Sequence, residues 1–361
     1  MESLLENFTP DDYTFLWLSA AFILAFLIAV SAFPSILYVV NKKNLVDVPD
    51  DRSEHKEVVP TLGGIGIFLS LIVVITIVGA FLNTKILLLV MGALTILFFL
   101  GLKDDLTALS ASKKMIGQLF AAALLIIFTN TRIIGFSGIL EVDILPYSIS
   151  IVFTLFVYIL IINAYNLIDG IDGLAGTFAL CTGSVFVYLF VQANALSLAT
   201  TAIALCGALI AFLRLNLSQK NKIFMGDTGS MVIGFLLAFF TISFINISQT
   251  NENSLYFKSS PALAYAVMFY PLVDTLRIFF IRIFIHKTSP FKADKNHIHH
   301  RYTQLGYSHI NSTLIIVFIN FLIICIAFNI AHLKLNSQIL IITFCGTFLY
   351  FILIIIKRNI K

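Results

Sequence analysis

Apolar residues run in long blocks along almost the whole chain, and polar residues collect in the short gaps between them. A helix needs about 20 apolar residues to cross a hydrocarbon core of about 30 Å, and the blocks approach or exceed that length. They predict eleven spans, at 14–40, 62–82, 85–102, 115–130, 148–164, 173–191, 195–213, 229–248, 261–285, 312–332 and 338–356. Polar or helix-breaking residues interrupt several of them: Pro34, the Gly63-Gly64 pair, Asn163 with Asn166, and Pro271, Asp274 and Arg277 in the ninth. Breaks of this kind survive at membrane depth only where protein or a water-lined cavity satisfies the backbone. No stretch remains for a separate soluble domain, so residues 1–361 read as one all-α, polytopic membrane unit.

Composition agrees with the pattern: 59% of the 361 residues are hydrophobic and 12% are charged, against about 25% charged in a typical soluble domain. The distribution of Lys and Arg sets the expected orientation. With the N-terminus outside, 19 fall on the cytoplasmic side and four (Lys85, Arg132, Lys258, Lys334) outside, the asymmetry of the positive-inside rule. The C-terminus is then cytoplasmic. The acidic first residues and the length of the following apolar run argue against a cleavable signal peptide. A net charge of +4 is explained by basic loops facing anionic lipid and calls for no nucleic-acid partner. Cys181, Cys206, Cys325 and Cys345 stand singly in apolar runs, which predicts packing residues rather than disulfides or a zinc site. The outer segment Arg132–Tyr147 alternates apolar and polar residues around Gly135 and Gly138, the pattern of a small structural hairpin.

Five cytoplasmic gaps carry dense polar motifs: DVPDDRSEHKEVVPTLGG (Asp47–Gly64), GLKDDLTAL (Gly101–Leu109), NAYNLIDGIDGLAG (Asn163–Gly176), NKIFMGDTGS (Asn221–Ser230) and SPFKADKNHIHHRY (Ser289–Tyr302). Ionisable groups at the membrane border are costly and mark function by default, so five such gaps on one face predict one shared site. Asp104 and Asp105 are adjacent carboxylates, which repel unless a cation or a shared proton lies between them, and they suit either metal binding or base catalysis. Asp169 and Asp172, three residues apart, fall near one face of a helical turn, with Asn163 and Asn166 repeating the spacing. Asp227, flanked by Thr228 and Ser230, offers the oxygen ligands preferred by Mg²⁺, although it equally suits a helix N-cap. His297, His299 and His300 lie among Lys292, Lys295 and Arg301. Their spacing is unlike the common zinc patterns, and the surrounding cations favour an anion. Carboxylates for one metal and a base, with cations for anionic oxygens, are the equipment of phosphoryl transfer. No GxxxxGK[ST] motif is present, which excludes a P-loop ATP-driven pump.

The ordered set of five blocks resembles the polyprenyl-phosphate N-acetylhexosamine-1-phosphate transferase family. That family, glycosyltransferase family 4, includes bacterial GlcNAc-1-phosphate transferases and phospho-MurNAc-pentapeptide translocase. The resemblance spans nearly the whole chain, and each block alone is weak. It implies ten or eleven transmembrane helices around a cytoplasmic active-site cleft in the bacterial inner membrane, with Mg²⁺, or Mn²⁺ in its place, as cofactor. It also implies the reaction of a UDP-N-acetylhexosamine with polyprenyl (undecaprenyl) phosphate at the membrane lipid surface, giving the lipid-diphosphate sugar and UMP, and it admits a homodimer.

By matching motif positions, the resemblance makes Asp104 and Asp105 the acidic pair near the lipid phosphate, one of them the base, and Asp227 the principal Mg²⁺ ligand. Lys56, Asn166, Asp169, Asp172 and Phe224 would line the nucleotide and sugar-phosphate site, with Phe224 beside the uracil. His297, His299 and His300 would contact the diphosphate or sugar, and Arg282 matches a family arginine over a short stretch. The HIHH form after SPF is closer to the GlcNAc-1-phosphate branch than to the translocase, so GlcNAc is the expected sugar. The competing classes are a secondary transporter, which would place charge at mid-membrane with a path to both faces, and a catalytically silent scaffold.

Overall fold

The computed structural model describes residues 13–43, 46–47, 59–82, 84–139, 141–250, 258–288 and 296–360. Its helices are α1 (Thr14–Lys43), α2 (Gly63–Leu82), α3 (Lys85–Thr107), α4 (Ala111–Thr129), α5 (Tyr147–Leu167), α6 (Leu174–Gln192), α7 (Leu196–Asn216) and α8 (Gly226–Thr250). There follow α9 (Ser260–Val267), α10 (Phe269–Phe280), a π-helical turn (Ile281–Ile285), α11 (Ile298–Gln304), α12 (His309–Asn329) and α13 (Leu335–Ile360). Among the described residues, ten helices are long and apolar enough to cross a membrane. The protein is therefore an all-α polytopic membrane protein.

The expected ninth span, 261–285, is split. Helix α9 ends at Val267, Met268 lies outside helix geometry, and α10 begins at Phe269 with Pro271 in its first turn, where a missing N–H does no harm. Asn320 of α12 closes the gap: its Oδ1 accepts from Tyr270 N at 3.1 Å and its Nδ2 donates to Val267 O at 3.1 Å. A fully buried amide side chain thus satisfies the backbone groups that the break releases. Pro34, by contrast, does not end α1, which continues to Lys43.

Helix α8 is the axis of the bundle. Of its most apolar stretch, 89% is buried inside the protein, against 22% for α1, so α8 is packed by neighbours nearly all round while α1 turns much of its apolar surface outward. Helices α2, α3 and α5 pack on α8, and α7 packs on α1, α2 and α6. The approach of α2 to α8 is backbone to backbone. A Cβ on Gly64 would lie 2.1 Å from Gly229 N, so any side chain there would force the two helices apart. The strands are short: β1 (Val46–Asp47) pairs antiparallel with β2 (Val59–Pro60). Strand β3 (Gly135–Ile139) pairs with β4 (Val142–Ile144) as the hairpin that the alternating pattern predicts. Gln249 near the end of α8 fixes that hairpin, accepting from Ile134 N and donating to Gly135 O. All four cysteines are free thiols.

Candidate functional site

The acidic pair ends α3, and its two carboxylates do different work. Asp105 reaches the N-terminus of α8, where Oδ1 accepts from Asp227 N at 2.7 Å and Oδ2 accepts from Thr228 N at 3.0 Å and Thr228 Oγ1 at 2.5 Å. It therefore serves the exposed N–H groups and positive end of a helix 122 residues away in sequence. Asp104 has an oxygen to offer elsewhere. Its Oδ1 accepts from Leu109 N at 2.5 Å, while its Oδ2 contacts the ammonium of Lys114, in the first turn of α4.

Lys114 also donates to Asp227 Oδ2 at 2.6 Å, so one cation bridges carboxylates from α3 and α8. The other oxygen of Asp227 accepts from Asn166 Nδ2 at 2.5 Å, and the same amide contacts Ser230 Oγ at 2.7 Å. The structure thus brings Asp104, Asp105, Asn166 and Asp227 together, with Lys114 as the partner that motif reading missed. The hydroxyls of Thr228 and Ser230, which suited a metal in the sequence, are engaged with Asp105 and Asn166 instead. Asn163 is not part of this group: its Nδ2 donates to Gln118 Oε1 at 2.8 Å and ties α5 to α4.

Asp169 and Asp172 follow α5 in the turn that leads to α6. Asp169 lies exposed on the surface of this region. Desolvation by the surrounding protein, and then the negative charges of Asp227, Asp105 and Asp172, push its carboxyl up to about 7. Because the side chain keeps an exposed surface, water relieves part of the desolvation. Asp172 is shifted the other way. Desolvation opposes its ionised form, but hydrogen bonds from His309 Nδ1 at 2.9 Å and Lys222 Nζ at 2.7 Å, with their charges, hold its carboxyl below the usual value. The Lys222 ammonium also stands 5.3 Å from the ring centroid of Phe224. Phe224 itself is fixed by its backbone, which accepts from Gly63 N and donates to Pro60 O. Lys222 lies inside the fourth motif without standing out there and His309 lies outside all five, so only folding reveals their part.

The histidines of the fifth motif are buried. His297 Nδ1 lies 2.9 Å from Asp274 Oδ2, whose other oxygen accepts from Arg277 and from Ile298 N. His299 Nδ1 faces the Tyr270 hydroxyl at 3.2 Å, and its Nε2 abuts Gly170, between Asp169 and Asp172. Burial, then the charge on His300, holds His299 well below the ordinary imidazole value and so neutral. The His300 ring lies against it, tilted by 50° with ring centroids 4.2 Å apart. This places the histidine segment against the Asp169–Asp172 turn. Arg282 is buried in the π-helical turn. Lys56 lies outside the described residues.

The donor set fits a hard divalent cation. Two carboxylates from different helices already share a cation, the Lys114 ammonium, and Mg²⁺ is commonly held through one or two carboxylates together with water and substrate phosphate oxygens. Among the described residues no three His, Cys, Asp or Glu side chains gather closely enough to hold a metal ion by themselves.

The family model described as Glycosyl transferase family 4 matches residues 86–245, a region that contains Asp104, Asp105, Lys114, Asn166, Asp169, Asp172, Phe224 and Asp227. A probable undecaprenyl-phosphate N-acetylglucosaminyl 1-phosphate transferase of Bacillus subtilis (strain 168) is 29% identical over 345 residues, covering 94% of this chain and 90% of its own. A decaprenyl-phosphate N-acetylglucosaminephosphotransferase of Mycobacterium leprae (strain TN) is 31% identical over 298 residues, with 76% of this chain and 74% of its own covered. An undecaprenyl-phosphate alpha-N-acetylglucosaminyl 1-phosphate transferase of Escherichia coli O157:H7 is 29% identical over 276 residues, covering 75% and 72%.

Proposed function

The chain belongs to glycosyl transferase family 4, and on that footing we propose that it transfers GlcNAc-1-phosphate from UDP-GlcNAc to undecaprenyl phosphate, releasing UMP and starting a lipid-linked envelope glycan. The relatives' names support the sugar phosphate and the polyprenyl acceptor. The bridge from Asp104 through Lys114 to Asp227 carries the reading, because it gathers opposing charges from three helices at one point beside Asn166 and Asp169.

Asp227 and Asp104 would hold a Mg²⁺ ion, which when bound would neutralise diphosphate charge and stabilise the departing UMP oxygens. Asp105 sets the register of α3 against α8, and with it the position of Asp227. Asp104 is the member of the acidic pair with an oxygen directed into the cluster, and that oxygen is the one the ion would take. Asp172 and Phe224 would receive the nucleotide, with His299 kept neutral as a hydrogen-bonding group toward the sugar phosphate. The excess of Lys and Arg on one face, 19 against four, supports a cytoplasmic site in a bacterial inner membrane.

The test is UMP release by purified protein in detergent with UDP-GlcNAc, undecaprenyl phosphate and Mg²⁺, leaving out each in turn. Release that needs all three, with labelled GlcNAc phosphate on the lipid, is the expected result. Activity only with another UDP-N-acetylhexosamine would change the sugar, and silence with every donor would refute the reading.

A further inference from the structure

The Lys114 ammonium touches both Asp104 Oδ2 and Asp227 Oδ2. That position is where two carboxylates from separate helices need a positive charge, since side by side they would otherwise repel. Neighbouring groups cannot supply it: Asp105 adds a further negative charge while bonded to the start of α8, and Asp169 adds another nearby. Asn166 contributes an amide to Asp227 but no charge.

We propose that the Lys114 ammonium and the divalent cation are alternative occupants of one position, so that Lys114 holds the Asp104–Asp227 site in the metal-free protein and must withdraw when the metal enters. This rests on the reading of Asp227 as a metal ligand. An ammonium and a divalent cation cannot share the same two oxygens, because their like charges would meet at bonding distance. Lysine suits the exchange better than arginine would. It is a point charge on a flexible four-carbon stem, without a planar fork to lock it on a carboxylate. The Lys114 side chain is 25% exposed against 5% for Asp104, so the ammonium has an outward path while the carboxylate stays. Its position in the first turn of α4, beside the non-helical link 108–110, places the stem at the edge of the bundle.

The experiment is a Mn²⁺ titration followed by electron paramagnetic resonance on the purified, nucleotide-free protein in detergent, which reads binding without turnover. Lys114→Gln should bind Mn²⁺ about tenfold more tightly than wild type, since the competitor is gone. Lys113→Gln removes the same charge from an exposed neighbour and should change affinity by no more than about twofold, because water and salt screen it. Lys114→Arg, which keeps a cation there, should bind no more tightly than wild type, and Asp227→Ala should lose the site. Equal or weaker binding by Lys114→Gln, or equal gains from Lys113→Gln and Lys114→Gln, would overturn the exchange and leave the transferase reading standing. If wild type and Lys114→Gln both fail to bind Mn²⁺ and UMP release needs no divalent cation, the metal assignment falls and the exchange falls with it. Melting temperatures measured on the same preparations separate these cases from a misfolded variant.

Discussion

His299 ends against Gly170: a Cβ built on that glycine would lie 2.5 Å from the imidazole Nε2. The contact seats the histidine segment on the Asp169–Asp172 turn, although the two are far apart in sequence. His299 is fully buried, and its other nitrogen faces Tyr270. The ring therefore has no room to retreat.

Gly170→Ala should displace His299 or lift the turn that carries Asp169 and Asp172. Overpacking of this kind costs about 1–3 kcal/mol, and a shift of about 1 Å at a reacting centre can cost about a hundredfold in rate. A lowered melting temperature together with strongly reduced UMP release is expected. Wild-type turnover in this variant would mean that the seating of His299 on the turn does not matter to the chemistry.

Asp274 is fully buried and accepts from His297, Arg277 and the backbone of Ile298. Asp274→Ala would leave a cation and an imidazole at that site without their anion, a loss of about 3–5 kcal/mol for a buried pair. The effect should centre on α11, where amide hydrogen exchange would rise first. Asp274→Asn keeps part of the hydrogen bonding and should fall between alanine and wild type in melting temperature.

Asp169 makes the metal-free fold sensitive to pH. Its carboxyl is pushed up to about 7 from the ordinary 3.8. Below 3.8 both folded and unfolded chains hold the proton. Between there and 7 only the folded chain does, so stability falls as pH rises through that window and levels off above it. Asp169→Asn removes this slope. Because the carboxylate is exposed and screened by water, the gain over wild type at alkaline pH should be on the order of 1 kcal/mol, vanishing at the acid end. Melting temperatures of chelator-treated protein across the window check it, and parallel curves for the two proteins would contradict it.

The spans, the interrupted ninth segment and the hairpin were legible in the sequence because each depends on local pattern: apolar length, Pro271 with Asp274, and alternation around Gly135. The acidic residues were legible for the same reason, as charge at a membrane border stands out. Partnership was not. Lys114, Lys222 and His309 look like ordinary border cations until folding places them on Asp227 and Asp172, and helix α4 begins early enough to carry Lys114 within its first turn. Spacing also misled at Asn163, whose position one turn before Asn166 suggested a site residue. In the fold it faces Gln118, since residues three apart on a helix are neighbours without sharing every contact.

Lys222 and His309 share a single oxygen, Asp172 Oδ2, at 2.7 and 2.9 Å. They come from the segment before α8 and from the first residue of α12, so the Asp172 carboxylate is held between two elements that are remote in sequence. Thr313 of α12 adds a third tie through the Asp172 carbonyl. The carboxyl is held below 3.8, so the stability this pairing contributes is present above that value and is lost only as pH falls through the lower folded one. Near neutral pH the anchor is therefore intact, and its role is exposed by mutation instead. Lys222→Met and His309→Gln should each loosen Asp172. If Asp172 receives the nucleotide, each should raise KM for UDP-GlcNAc by about tenfold or less while kcat changes little, the sign of lost ground-state binding. A double-mutant cycle of Lys222→Met with Asp172→Asn should show coupling of about 1–2 kcal/mol. A fall in kcat at unchanged KM would instead assign Asp172 to the transferred phosphate, and additive effects in the cycle would show that the Lys222 contact does not position it.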